Sequence, residues 1–186
     1  MAGKVVGVLA LQGDYERHVR ALDAAGAHAV EVRGAAELEA TDGLVIPGGE
    51  STTMLKILHR ESLFEPLRAY GQAKPIFGTC AGAILLAGRV SSPAQESLGL
   101  MDIDVQRNAY GRQLDSRVVT LPTKLGDLEA VFIRAPIIRA TGPAVQVLAT
   151  YSGDPVLAEQ GRHLVATFHP ELTADLRVHA YFLSKL

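Results

Sequence analysis

The single cysteine of the chain, Cys80, lies between two glycines in Gly78-Thr79-Cys80-Ala81-Gly82. Apolar runs on both sides of this pattern predict a sharp turn from a strand into a helix. Such a turn is a nucleophile elbow, in which the glycines allow close backbone approach and the thiol is presented at the strand end. A helix beginning just after Cys80 also favours the thiolate through its N–H groups and dipole. The alternative is a buried cysteine in a glycine-rich turn, and this pattern alone leaves both open.

A histidine and a glutamate could serve such a nucleophile. They occur in Phe168-His169-Pro170-Glu171, at the end of the last predicted strand. A spacing of two residues can place both side chains on one side of an extended segment. The Glu171 carboxylate could then fix the tautomer of the His169 ring and raise its basicity. A nucleophile, a base and an orienting carboxylate are therefore all present.

The other histidines are interpreted as surface or core residues, because they lack a paired carboxylate at useful spacing near a strand end. They are His18, His28, His59, His163 and His179. No His/Cys/Asp cluster has the spacing of metal ligands, so no metal site is expected. The glycines form neither a dinucleotide-binding fingerprint nor a P-loop, which disfavours nucleotide binding. No cofactor is expected.

A second loop with chemical potential is Pro47-Gly48-Gly49-Glu50-Ser51. Its consecutive glycine amides precede a predicted helix and could form a backbone nest for an oxyanion or a carboxylate. The alternative is an ordinary helix start with Ser51 or Thr52 as N-cap.

The elements that must position these residues alternate between strand and helix over the first ninety residues. Lys4–Leu11, His28–Val32 and Gly43–Ile46 are predicted strands, and the Tyr15–Ala25 and Leu63–Tyr70 segments are predicted helices. This order predicts an α/β fold with an open, mostly parallel twisted sheet, whose sites form at the carboxyl ends of the strands. Short strand candidates separated by Gly and Pro predict antiparallel pairing in the second half. They are 101–106, 117–121, 128–133, 145–150, 156–159 and 164–168, followed by a final helix over 172–186.

Composition limits the function classes. The chain has 186 residues, 48% of them hydrophobic, and a formal net charge of -2. We expect one domain over residues 1–186, and this charge gives no case for nucleic acid or an anionic membrane surface. No leader or membrane span is recognised in the sequence. One cysteine cannot form an internal disulfide, so the cytoplasm is the expected location.

The two motifs around Cys80 and His169 resemble the class I (triad) glutamine amidotransferases. Further segments are similar to the glutaminase subunits of pyridoxal 5'-phosphate synthase, nearly end to end. They are Leu9-Ala10-Leu11-Gln12-Gly13, Pro47-Gly48-Gly49-Glu50-Ser51-Thr52-Thr53, Arg107-Asn108-Ala109-Tyr110-Gly111-Arg112-Gln113 and Phe132-Ile133-Arg134-Ala135-Pro136. The resemblance implies a flavodoxin-like class I glutaminase fold.

The resemblance also implies roles for individual residues. Cys80 would be the nucleophile, His169 the general base and acid, and Glu171 its orienting partner. The amides of Gly48, Gly49 and Ala81 would hold the oxyanion. The implied glutamine-binding residues are Gly48, Gly49, Glu50, Ser51, Arg107, Ile133 and Arg134. From the residues alone, the two arginines could equally form surface salt bridges.

The implied reaction is hydrolysis of L-glutamine to glutamate and ammonia through a thioester, with ammonia delivered to a separate (β/α)8 barrel synthase subunit. Gln12 matches a region near that interface. Three alternatives stay open: the glutaminase of another amidotransferase, a hydrolase or deglycase with the same type of elbow, and a catalytically inactive regulatory binding module on the same scaffold.

Overall fold

The computed structural model describes residues 3–108 and 116–186. The strands are β1 (Val5–Leu9), β2 (His28–Val32), β3 (Gly43–Ile46), β4 (Ile76–Thr79), β5 (Ala87–Ser91), β6 (Met101–Gln106), β7 (Arg117–Leu121), β8 (Leu128–Phe132), β9 (Ile137–Thr141), β10 (Gln146–Tyr151), β11 (Asp154–Gln160) and β12 (His163–Ala166). The helices are α1 (Tyr15–Ala24), α2 (Ala35–Glu39), α3 (Ser51–Arg60), α4 (Phe64–Ala73), α5 (Ala81–Leu86) and α6 (Arg177–Leu183), with a 3₁₀ turn at Pro170–Leu172.

A seven-stranded sheet with the order β10-β11-β12-β4-β3-β1-β2 forms the centre of the molecule. The five strands from β12 to β2 are parallel, and β10 and β11 continue the sheet in antiparallel pairing. The predicted open, mostly parallel sheet is confirmed. Because both faces of its inner strands are covered, β3 and β4 consist entirely of buried residues.

Helices cover the two faces of this sheet in separate cores. One core includes Leu38 of α2, Met54 of α3, Leu67 of α4 and Ile84 of α5. The opposite core contains Leu22 of α1 together with Val178 and Phe182 of α6. Alternation along β3 serves both cores, since Leu44 and Ile46 face the first and Val45 faces the second. Because β1, β3, β4 and β12 are parallel neighbours, their carboxyl ends meet at one edge of the sheet.

The second half of the chain does more than extend the sheet. Strands β5, β6 and β9 form a separate three-stranded sheet, and β7 pairs with β8 in a hairpin. The expectation of antiparallel strands at one side of the sheet is right for β10 to β12 and incomplete for the others. The sequence does not predict β5 and β9, because Ala87–Ser91 has small and charged residues in place of an apolar run, and Ile137–Thr141 lies soon after the predicted strand 128–133.

The predicted final helix over 172–186 begins too early. Thr173 Oγ1 accepts a hydrogen bond from the backbone N–H of Asp175, and Asp175 Oδ1 accepts from that of Arg177. These side-chain bonds hold a turn before the helix, so that α6 starts at Arg177. Its buried face consists of Val178, His179 and Phe182, and not of Leu176, Ala180 and Leu183, which the helical spacing of apolar residues predicts.

Every helix in the part of the chain that the structure describes is too short or too polar to cross a membrane.

Candidate active site

The elbow at Cys80 has the strained geometry that its glycines predict. Cys80 follows β4 directly and has φ 50° and ψ −107°, in a region that L residues seldom occupy. A Cβ at Gly78 would lie 2.5 Å from the carbonyl oxygen of Gly82, and a Cβ at Gly82 would overlap the carbonyl oxygen of Ile46. Both glycines are therefore required for close backbone approach, which confirms that expectation.

His169 and Glu171 meet as the sequence predicts. Nδ1 of His169 lies 2.6 Å from Oε1 of Glu171. The backbone N–H of His169 donates to Val131, and the 3₁₀ turn after it carries Glu171 back toward the sheet. All three residues of the group are largely buried: Cys80 is 8% exposed, His169 9% and Glu171 6%.

The His169 ring also interacts with Cys80. Burial alone would lower the pKa of His169, but hydrogen bonds with Cys80 and Glu171 and their negative charge outweigh it and raise the pKa to about 10. The ring therefore holds both of its protons at neutral pH. An imidazolium in this place is the natural partner of a thiolate.

The loop after β3 packs directly on this pair. A Cβ at Gly48 would lie 2.6 Å from Cε1 of His169 and 3.3 Å from Cβ of Cys80. The carbonyl oxygen of Gly48 lies against Gly13, which has φ 85°. Gly49 has φ 147°, a conformation that favours glycine. Gly48 thus contacts both Cys80 and His169, and the first amide of α5, that of Ala81, directly follows Cys80.

Glu50 has a structural task that the sequence did not reveal. Its carboxylate accepts hydrogen bonds from the backbone N–H groups of Thr52 and Thr53 and from the Thr53 hydroxyl, so Glu50 is the N-cap of α3. The alternative of Ser51 or Thr52 as N-cap is wrong. The Thr53 hydroxyl bond, followed by the backbone bonds, lowers the pKa of Glu50 and keeps it ionised.

Arg107 reaches the same helix end. Its Nη2 donates to Thr52 Oγ1 at 2.6 Å and lies 3.9 Å from Oε1 of Glu50. The ion pair with Glu50 is therefore loose, and the Arg107 side chain is only 12% exposed. The salt bridge considered as an alternative role for Arg107 is thus present as this long ion pair with Glu50, in the wall of the cavity that Cys80 also lines.

The predicted residues line two adjoining cavities that share Gly49, Cys80 and Arg134. One, of about 260 Å³, is lined by Gly49, Glu50, Ser51, Cys80, Ala81, Ile84, Arg107, Asn108, Arg134 and Pro136. The other, of about 350 Å³, is lined by Gly13, Asp14, Gly48, Gly49, Cys80, Ile133, Arg134 and His169. Together the two cavities are lined by all of the predicted site residues except Glu171, which lies against the Nδ1 side of His169, and Gln12. Residues 109–113 of the segment that begins at Arg107 lie outside the described residues.

Gln12 lies at the edge of this cleft, after β1. Its Oε1 accepts a hydrogen bond from the backbone N–H of Glu50 at 2.9 Å. The segment that carries Gln12 is thereby joined to the glycine loop.

Two histidines outside the predicted triad lie beneath the site. His18 and His179 are fully buried, and His18 Nε2 lies 3.4 Å from the second carboxylate oxygen of Glu171. The interpretation that His18 lacks a carboxylate partner is wrong. His59 also has one, since its Nε2 lies 2.7 Å from Glu96 on the surface. Both partners are distant in sequence, so spacing gave no signal of them.

Residues 8–186 match the model of the SNO glutamine amidotransferase family. The chain belongs to the SNO glutamine amidotransferase family. It is 60% identical to "Pyridoxal 5'-phosphate synthase subunit PdxT" of Solibacter usitatus, over 98% of this chain and 100% of that protein. The protein of the same name from Koribacter versatilis is 54% identical over 96% of this chain and 93% of its own length.

A solved structure described as "Crystal structure of glutamine amidotransferase" superposes on this member of the family with a TM-score of 0.91 at 46% identity, and each chain covers 97% of the other. The fold and the family that the sequence predicted are thus confirmed.

Proposed function

We propose that this family member is the glutaminase subunit of a pyridoxal 5'-phosphate synthase. It hydrolyses L-glutamine to glutamate and ammonia, and it supplies the ammonia to a separate barrel-shaped synthase subunit. The observation that carries the chemistry is the convergence of Cys80, on its strained elbow, with a His169 ring that Glu171 holds at 2.6 Å. The synthase assignment is supported by the 60% identity to a PdxT subunit along its full length.

In the first half of the reaction, the Cys80 thiolate attacks the side-chain carbonyl carbon of glutamine. The backbone N–H groups of Ala81 and of the Gly48–Gly49 loop stabilise the oxyanion, and each such donor is typically worth about a hundred- to a thousandfold in rate. His169 then gives its proton to the departing nitrogen as the C–N bond breaks. Ammonia and a γ-glutamyl thioester on Cys80 result.

In the second half, His169 takes a proton from water, which attacks the thioester carbonyl. The C–S bond breaks, glutamate leaves, and the thiolate–imidazolium pair is restored. Glu171 stabilises the imidazolium in both halves and keeps Nε2 of His169 directed toward the reacting atoms.

The charged groups of the 260 Å³ cavity fit the backbone end of glutamine. Arg107 and Arg134 offer guanidinium groups to its α-carboxylate, and the ionised Glu50 carboxylate offers a partner to its α-ammonium. Ser51 lines the same cavity, and Ile133 lines the adjoining one. The side-chain amide then extends toward Cys80, which this cavity shares with the 350 Å³ cavity beside His169.

The partner follows from the product. Ammonia becomes ammonium in neutral water and is then no longer a nucleophile, so a glutaminase that feeds a synthase must release it directly into that subunit. Gln12, at the rim of the cleft, is the proposed contact residue. We also propose that residues 1–186 form one glutaminase domain and that it is located in the cytoplasm, where Cys80 stays reduced.

The deciding experiment measures glutamate release from glutamine by the wild type alone, by the wild type with the synthase subunit, and by Cys80→Ala with the synthase subunit. We expect slow release by the isolated chain, faster release in the complex and none above background from Cys80→Ala. Glutamine binding without hydrolysis in the complex would instead support the regulatory binding module. Release by Cys80→Ala at the wild-type rate would exclude Cys80 as nucleophile.

A further inference from the structure

A buried chain of polar side chains continues from Glu171 away from the cleft. His18 Nε2 lies 3.4 Å from Oε2 of Glu171 and 3.2 Å from the hydroxyl of Thr79. Nδ1 of His18 lies 2.9 Å from Nε2 of His179. His18, Thr79 and His179 are at most 1% exposed. Apolar side chains could fill this space without the free-energy cost of burying polar groups, so the presence of these polar side chains calls for a functional explanation.

The buried polar atoms without hydrogen-bond partners determine which ring nitrogens of His18 and His179 carry a proton. Within the described residues, Nδ1 of His179 and Oε2 of Glu171 are buried without a hydrogen-bond partner. A proton on Nδ1 of His179 would be a buried donor without an acceptor, so the proton belongs on Nε2, which donates to Nδ1 of His18. His18 then carries its own proton on Nε2, the atom that faces Glu171 and Thr79.

We propose that His18 is a positioning residue whose Nε2–H, 3.4 Å from Oε2 of Glu171, attracts that oxygen, so that Glu171 presents its other oxygen to His169. This inference rests on the proposed function, because the orientation of Glu171 matters only if His169 transfers protons. Burial, with the neighbouring His179 and His169, lowers the pKa of His18 well below its usual value. A neutral His18 can therefore donate to Glu171 without competing with His169 as its counter-ion.

The location of His18 makes it suited to this task. It lies on the buried side of α1, and Thr79 directly precedes the nucleophile in β4. One ring nitrogen therefore contacts both the strand that carries Cys80 and the carboxylate that orients His169. A small shift of the ring toward Glu171 would shorten the 3.4 Å separation to a full hydrogen bond.

The test compares two polar replacements of His18 in the complex with the synthase subunit. The amide nitrogen of His18→Gln can occupy the place of Nε2, whereas His18→Asn reaches only the place of Nδ1. We expect His18→Asn to lower kcat by about tenfold or more with little change in KM, because the loss affects proton transfer by His169 and not glutamine binding. Loss of the partner of a metal-bound histidine has an effect of similar size, about 10–100-fold. His18→Gln should restore most of that kcat.

His163→Asn is the matched control, because His163 is also buried but accepts a hydrogen bond from Ile76 far from Glu171. Its kcat should stay at the wild-type value even if its Tm falls. His18→Leu, an apolar replacement, should lower kcat by as much as His18→Asn. If one of these two variants does not fold, the other still gives the comparison with His18→Gln.

Equal kcat for the Gln variant and a folded Asn or Leu variant of His18 would overturn the inference. A wild type that releases no glutamate would instead overturn the proposed function, so the two failures are distinguishable.

Discussion

The side-chain oxygen of Gln12 accepts a hydrogen bond from the backbone N–H of Glu50 at 2.9 Å, and thereby connects the β1–α1 loop to the glycine loop of the cleft. Gly49 is held under the same side chain, since a Cβ at Gly49 would lie 2.7 Å from Gln12 Oε1. A residue proposed as a partner contact thus also fixes a segment proposed to hold the oxyanion. Docking at Gln12 could therefore select one orientation of the glycine peptides.

Gln12→Ala should lower kcat/KM for glutamine in the complex by about tenfold, the equivalent of one lost hydrogen bond of about 1.4 kcal/mol. The physical reason is that the Glu50 N–H and the loop before it lose their anchor. Steady-state glutamate release gives the measurement, and Gln72→Ala, at an exposed position of α4, is the control. Wild-type kinetics in Gln12→Ala would show that the bond does not organise the loop.

Gly82→Ala should destabilise the protein by about 1–3 kcal/mol, the usual cost of overpacking. The added Cβ would collide with the backbone carbonyl of Ile46, which has no free space to move because β3 is buried. Urea unfolding measures the effect. Gly34→Ala is the control, since a Cβ there meets nothing within 4 Å, and an equal loss in both variants would contradict the close approach of α5 to β3.

Cys80→Ala should lower the pKa of His169 from about 10 toward its ordinary value near 6.5. The substitution removes a hydrogen bond and a negative charge that favour the imidazolium, while burial, which opposes it, remains. NMR titration of the ring measures the shift. The His163 resonance serves as internal reference. An unchanged pKa of His169 would mean that the Cys80 thiol does not interact with this ring.

The buried His179 should make the fold sensitive to acid. Burial lowers its pKa to about 4, whereas the unfolded chain protonates near 6.5. Between these values the unfolded state binds the extra proton, so stability is lost as pH falls from about 6.5 to 4. His179→Gln keeps a donor toward His18 and does not titrate, so the slope should decrease by up to about 1.4 kcal/mol per pH unit.

Urea unfolding at a series of pH values between 4 and 7 measures this slope. His28→Gln, at an exposed position of β2, is the control and should leave the slope unchanged. A slope in His179→Gln equal to that of the wild type would mean that His179 does not protonate on unfolding.

The parts of the fold and site that sequence predicts are those with local signals. The elbow has its glycines within two residues of Cys80, and the His169–Glu171 pair lies within one turn. The parallel strands of the first half are continuous apolar runs bounded by turns. For these elements, local pattern and tertiary structure agree, and the predicted bounds differ from the observed ones by a few residues.

The remaining parts depend on contacts between distant segments. His18 and His179 are 161 residues apart, and neither has a neighbouring residue that would indicate its partner. The N-cap role of Glu50 does not exclude the proposed role in binding glutamine, because the same carboxylate can serve both, so the sequence alone does not reveal the first role. Likewise, β5 and β9 become strands only by pairing with β6, which no property of their own residues required.

The single thiol of the chain, at the elbow, has a practical consequence for quantitation. Because the chain has one cysteine, every mole of thiol titrated in the isolated protein is a mole of Cys80. A reagent that consumes sulfhydryl groups in the unfolded protein therefore reports how much of a preparation still carries a reduced Cys80. Any oxidised fraction can be subtracted from the enzyme concentration before a turnover number is calculated.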